Sequence, residues 1–155
     1  MNTSGHFLVV RLDEQRFALP VAAVERVLRA AAVTPLPHAS PRLLGVLNVQ
    51  GRVLPVIDLR RRCGLPPRAI DVDDQFVLVH TTERTLILPV DSTEVIQCAV
   101  EALVSADRIA PGLNYLHGVA KHKQGLIPLY DLDVLLGEEE DAMLAAAAGG
   151  EGGAA

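Results

Sequence analysis

Tryptophan is absent from this chain, and three phenylalanines and two tyrosines are its only aromatics in 155 residues. Because 50% of the residues are apolar, the core has to be built from Val, Leu, Ile and Ala, a mixture that favours strands over long helices. Cysteine is scarce: Cys63 and Cys98 lack the CxxC or Cys/His spacing of a zinc site or redox pair, and both read as small core or near-surface thiols. No apolar run approaches the roughly 20 residues of a membrane helix. Met1 to His6 shows no basic segment followed by an apolar stretch. The expectation is a cytoplasmic protein without signal peptide or direct membrane insertion. No base follows Leu136, whereas Glu138, Glu139, Glu140, Asp141 and Glu151 do, so the net charge of −5 resides in the tail and the body is balanced. A neutral body excludes nucleic acid as the expected partner, because phosphate binding rests on clustered Lys and Arg. The one basic run, Arg60-Arg61-Arg62, reads as the solvated face of a short helix.

Catalytic signatures are missing too. There is no GxxxxGK[ST], no GxGxxG and no GxSxG. Of His6, His38, His80, His117 and His122, only the last two are close, and residues five apart on a strand face opposite ways, which argues against a shared metal. The expectation is a non-enzyme that needs no cofactor and no metal. At this length one compact unit can bury about 70% of the surface its unfolded form exposes, so it needs no disulfide to fold.

What the chain does contain is an internal repeat. Phe7-Leu8-Val9-Val10 and Leu19-Pro20-Val21 recur as Phe76-Val77-Leu78-Val79 and Leu88-Pro89-Val90, and Glu25 and Val27 as Glu94 and Ile96, always 69 positions on. Gly45-Val46, Pro55 and Asp58-Leu59 recur as Gly118-Val119, Pro128 and Asp131-Leu132, now 73 positions on. Gly, Pro and Asp-Leu keep their relative places, which points to duplication.

Each copy predicts strand, turn, strand: Phe7 to Leu12, a polar Asp13-Glu14-Gln15, then Arg16 to Leu19, with Thr81 to Arg84 as the second turn. Leu43 to Asn48 and Val53 to Asp58 flank Gln50-Gly51, where glycine supplies the freedom of a tight hairpin; Lys123-Gln124-Gly125 takes that part in the second copy. Pro55 and Pro128 mark an edge, bulge or bend, since proline cannot donate to a ladder. Asp58 and Asp131 precede helix-like stretches, Leu59 to Cys63 and Leu132 to Leu136, and are expected to cap them. The rival role, paired acids for acid-base catalysis, has no nucleophile near either residue. Two small bent sheets of this kind suggest a pair of small barrels sharing an interface.

At this point the residues carry a resemblance. Val24-Glu25-Arg26-Val27, Pro35-Leu36-Pro37, Leu44 to Gly51 and Val53 to Leu59 resemble the CheW family of chemotaxis coupling proteins. So do Pro89-Val90-Asp91 with Glu94-Val95, and Tyr115 to Leu136 with Gly118-Val119-Ala120-Lys121 and Asp131-Leu132-Asp133. The likeness runs from about Phe7 to Leu136. It implies a mainly β fold of two five-stranded SH3-like barrels side by side with short helices, about 7–62 and 76–136, and leaves open whether their ends are exchanged. A flexible N-terminus (1–6) and a disordered acidic Ala/Gly-rich tail (137–155), helical at most across Met143 to Ala148, would flank them.

The resemblance also implies a non-catalytic adaptor of two-component signal transduction. Such proteins bind the cytoplasmic tip of methyl-accepting chemoreceptors and the regulatory domain of a CheA-type histidine kinase, and are recruited to membrane-associated arrays. A kinase needs apolar strand-edge surface and a receptor helix needs a groove. The candidate contacts are Val24, Arg26, Val27, Leu44, Gln50, Gly51 and Arg52 in the first barrel, and Val90, Val95 and Gly118 in the second. Ordinary core and turn roles compete for the aliphatics and glycines among them.

Two positions depart from the family pattern: its usual Glu falls at Arg26, and its usual Arg at Gln50. They keep open a CheW-like module rewired to surface motility or gene control, or a decoy that holds receptor without activating kinase. A small-molecule-binding or enzymatic domain is the third class, and no convergent polar set supports it.

Overall fold

The computed structural model of the protein describes residues 4–37, 41–99, 103–105, 116–123 and 125–136. Their strands are β1 (Ser4–Leu12), β2 (Gln15–Pro20), β3 (Val24–Arg29), β4 (Leu43–Val49), β5 (Arg52–Ile57), β6 (Gln75–His80), β7 (Thr85–Val90), β8 (Ser92–Ala99), β9 (Leu103–Ser105), β10 (Leu116–His122) and β11 (Gly125–Tyr130). Two short helices follow β5 and β11: α1 (Leu59–Arg62) and α2 (132–136). Ser4, Gly5 and His6, expected in a flexible end, instead extend β1 and pair with Ala99, Cys98 and Gln97 of β8. The acidic tail and the helical stretch expected at Met143 to Ala148 lie outside the described residues.

The strands form two sheets, ordered β8-β1-β2-β11-β10-β9 and β3-β6-β7-β5-β4. The repeat explains the order. At offsets of 69 and 73, β1, β2, β3, β4 and β5 correspond to β6, β7, β8, β10 and β11. Each sheet therefore takes its central hairpin from one copy and its three flanking strands from the other. The first sheet adds β9 as a short sixth strand. Equivalent positions make equivalent contacts: the parallel seams are Leu129↔Ala18 and Val56↔Ile87, and register shifts fall at Leu116/Gly118 and Leu43/Gly45. Pro55 and Pro128 each sit one residue before the single register pair of their parallel seam, so the missing N–H is tolerated there.

The exchange decides where the core lies. On β1 and β2, Leu8, Val10, Leu12, Phe17 and Leu19 face the partner hairpin's Val77, Val79, Leu86, Leu88 and Val90, making one central cluster with Leu59, Leu132, Leu135 and Leu136 of the helices. The intervening residues fill the two barrel interiors: Val9 and Ala18 with Ile96, Ala120, Ile127 and Leu129 on one side, and Phe76, Leu78 and Ile87 with Val49, Leu54 and Val56 on the other. Strands buried on both faces read as unbroken apolar runs, and Phe76 to Val79 and Leu86 to Leu88 do so.

Asp58 caps α1, accepting from Arg61 N–H at 3.3 Å, and Asp131 Oδ1 accepts from Asp133 N–H at 3.0 Å and Val134 N–H at 3.4 Å. The basic run of α1 is not the solvated face expected of it. Arg60 is only 7% exposed. Its guanidinium binds both Asp13 oxygens, at 2.7 and 3.0 Å, and Asp91 Oδ1 at 3.1 Å; Arg68 joins Asp91 (2.6 Å) to Asp74 (3.0 Å). Arg62 Nε donates to Leu135 O at 3.0 Å and so ties α1 to α2. These charges bridge the sheets where the chain crosses between them.

Candidate partner-binding surfaces

The β4–β5 hairpin turns through Gln50 (φ 52°) and Gly51 (φ 88°), two left-handed residues in the pattern of a type I′ turn, and Asn48 Oδ1 accepts from Gly51 N–H at 2.8 Å. This tip leans over β3, the opposite outer strand of the same sheet. Arg26 Nη2 donates to Gln50 Oε1 at 3.0 Å, and Arg52 Nη1 meets both Glu25 oxygens at 2.9 and 3.1 Å. His80 Nε2 lies 3.3 Å from Glu25 Oε1, and its Nδ1 is 3.0 Å from Thr85 Oγ1. Beside this polar row Val53 stands 65% exposed.

The equivalent mouth of the other barrel keeps exposed Glu94 and Lys123 but has no counterpart of either arginine. Position 126, 73 on from Val53, is Leu126 at 69% exposure; position 95, 69 on from Arg26, is Val95 at 62%. Duplication has kept an exposed aliphatic at the start of both returning strands while the chemistry beside it diverged.

Between the barrels lies a cleft of ≈ 200 Å³ lined by Phe7, Pro20, His80, His117, Tyr130 and Leu132, among others. Tyr130 is held there by stacking on Phe17, ring centroids 4.6 Å apart. His80 thus borders both the cleft and the Glu25 cluster.

Of the ten positions expected to contact partners, Arg26, Gln50, Gly51 and Arg52 come together at one mouth, and Val95 stands at the other. Val24 and Val27 are half-buried against the central cluster, and Leu44 packs against the second barrel interior. Val90, 1% exposed, and Gly118, buried, face inward and have no surface to offer. Glu25, His80, Val53 and Leu126 were not singled out as contacts. The 73-residue offset carries a signal for the last two, since an aliphatic recurs right after each turn where a polar residue would be soluble.

Among the described residues no three of His, Cys, Asp and Glu converge as a metal site would need, and no helix is long and apolar enough to cross a membrane. Burial pushes the Cys63 thiol above its ordinary pKa, away from the thiolate a nucleophile requires.

Residues 6–142 match the CheW-like domain. The chain belongs to the CheW family. It is 26% identical over 142 residues to the chemotaxis protein CheW of Rhizobium meliloti, covering 90% of this chain and 92% of that one. It is 42% identical over 55 residues to protein FrzA of Myxococcus xanthus, covering 36% and 34%. Among solved structures, the scaffolding protein TtCheW of Thermoanaerobacter tengcongensis superposes with a TM-score of 0.75 at 25% identity, covering 85% of this chain and 92% of that one. This CheW-like chain is accordingly a non-catalytic scaffolding and coupling protein of chemotaxis, with the mainly β fold its residues resemble.

Proposed function

We propose that this CheW-like chain couples the cytoplasmic tips of methyl-accepting chemoreceptors to the regulatory domain of a CheA-type histidine kinase, in the cytoplasm at receptor arrays. The observation that supports this best is the pair of equivalent exposed aliphatics, Val53 and Leu126, one on each barrel, set apart from a cleft between the barrels. A bridging protein needs separate surfaces for separate partners. The flat mouths suit folded domains, and the cleft suits a helix. Burying either aliphatic is worth about 1.5 to 3 kcal/mol, at least tenfold in affinity.

The test is recovery of partners on the tagged protein from its native cytoplasm, with mass spectrometry. Chemoreceptor and kinase recovered together support the adaptor, and Val53→Asp or Leu126→Asp is expected to reduce kinase recovery while receptor recovery persists. Receptor without kinase turns the reading into a decoy that occupies receptors. The Arg26 to Gln50 contact, different in charge from the family pattern, is what favours a second reading, in which the same coupling serves another pathway. Recovery of neither partner ends both readings.

A further inference from the structure

The mouth formed by β3 and the β4–β5 hairpin has an incomplete charge balance, and this specifies the chemistry of what docks there. Glu25 is the one carboxylate among the described residues within 4.0 Å of Arg26 or Arg52. Arg52 takes both of its oxygens, and His80 approaches one of them. Arg26 Nε is buried, 4.0 Å from Glu25 and without a hydrogen-bond acceptor among the described residues, so only the Nη end of the guanidinium can meet a docked group. A guanidinium carries five N–H donors. Here its short hydrogen bond goes from Nη2 to the uncharged amide oxygen of Gln50, so two cations face one anion.

That arrangement is specific to this mouth. The residues equivalent to Arg26 and Gln50 are Val95 and Lys123, which cannot form such a pair. Gln50 keeps a left-handed backbone, a conformation that non-glycine residues rarely adopt, and from there its side chain aims the guanidinium. Arg26, on β3, remains 36% exposed and does not line the cleft between the barrels, and Val53 belongs to the β4–β5 hairpin whose tip meets it through Gln50. An exposed cation outside that cleft, opposite a hairpin that carries an exposed aliphatic, fits a folded domain better than a helix tip, which needs a groove.

We propose that Arg26, positioned by Gln50, is the specificity-determining contact of this mouth, and that it receives a carboxylate from the kinase regulatory domain docked over Val53. The inference rests on the adaptor reading and names the partner chemistry at that surface. A kinase matched to this chain carries an acidic residue opposite Arg26.

The experiment titrates the full chain with its cognate kinase regulatory domain by calorimetry at low and high salt, with receptor-tip binding measured in parallel. Wild-type affinity is expected to fall with salt. Arg26→Gln is expected to weaken binding about tenfold and flatten the salt dependence, and Arg26→Glu about 100-fold, because like charges then face each other. Replacing a single acidic residue of the kinase domain with Lys should restore the Arg26→Glu complex. Gln50→Ala, which leaves the charge but releases its aim, should cost a few-fold in affinity with the salt dependence intact. Unchanged thermal melts show that each variant is folded. Affinities of both Arg26 variants within about twofold of wild type overturn the inference and leave the adaptor reading standing. Equal loss of receptor binding overturns the assignment to the kinase. If wild-type protein binds no kinase domain, the adaptor reading fails and this inference falls with it.

Discussion

Arg60 grips Asp13 across the two sheets at 2.7 Å, and the positions equivalent to them in the second copy, Asp133 and Thr82, grip each other as well: Asp133 Oδ1 accepts from Thr82 N–H at 2.6 Å and from Thr82 Oγ1 at 3.0 Å. Each copy's hairpin is therefore fastened by its tip to the helix that follows the same copy's fifth strand, a strand that lies in the other sheet. One fastening is ionic and the other is a neutral donor on a carboxylate.

The ionic fastening should carry measurable stability. Loss of Arg60 strands no buried charge, since Asp13 is 43% exposed and Asp91 keeps Arg68, so the cost is that of lost charge-assisted hydrogen bonds, about 2 kcal/mol. Arg60→Ala is expected to lower the unfolding free energy by about that much in urea, whereas Arg61→Ala, on the exposed side of α1, should change it by less than about 0.5 kcal/mol. A small effect at Arg60 would show that solvent already screens the cluster.

Acid should loosen it. The hydrogen bond from Arg60 holds the Asp13 carboxyl below its usual value. Burial pushes Asp91 up, but hydrogen bonds from Asp13 N–H, Arg68 and Arg60 outweigh it and leave the net value lowered. A carboxylate depressed in the folded state adds stability that is complete above its unfolded pKa, about 3.9, and is lost as pH falls through the folded value. Unfolding free energy is expected to be flat from neutral pH to about 5 and to fall below about 4. Asp91→Asn should shrink that acid-side slope, and an identical slope in the variant would place the titration elsewhere.

Gly45 is not replaceable by alanine. An added Cβ would lie 2.2 Å from Thr34 O and 2.7 Å from Val33 Cγ1, where the bridge between Thr34 and Val46 brings two backbones together. Gly45→Ala is expected to cost more than about 2 kcal/mol. Gly64 has φ 73° but open space around a new Cβ, so Gly64→Ala should cost about 1 kcal/mol, from backbone conformation alone. Equal losses in the two variants would contradict the close approach.

Restoring the family's charges with Arg26→Glu and Gln50→Arg should leave the fold intact, since an exposed pair is worth only about 0 to 1 kcal/mol. Binding is another matter. The double variant is expected to gain affinity for a kinase or receptor from a typical array, measured against wild type in the same assay, and no gain would remove the idea that these two positions select partners.

Truncation after Gly137 should leave the melting temperature unchanged, because the acidic and Ala/Gly-rich composition beyond it offers little apolar surface to bury. A drop of several degrees would mean that the tail packs on the body.

The amino-acid order by itself determined the duplication, the strand and turn sequence, the capping aspartates and the class of protein, because these rest on periodicity and on residues close along the chain. Phe7 to Val10 and Phe76 to Val79 announce buried strands whatever lies beside them. Only the tertiary structure decided that each copy's hairpin joins the other copy's strands. The two copies carry near-identical apolar patterns, so local preference cannot tell exchanged pairing from unexchanged pairing; burial on both faces of four strands at once can. The same holds for charge. Arg60 reads as solvated beside Arg61 and Arg62, and became buried because Asp13 and Asp91, 47 and 31 positions away, arrive at it from both sheets. Arg26 and Gln50, 24 apart, meet because the hairpin tip closes over β3, and that long-range contact fixes which way the charge on this surface points.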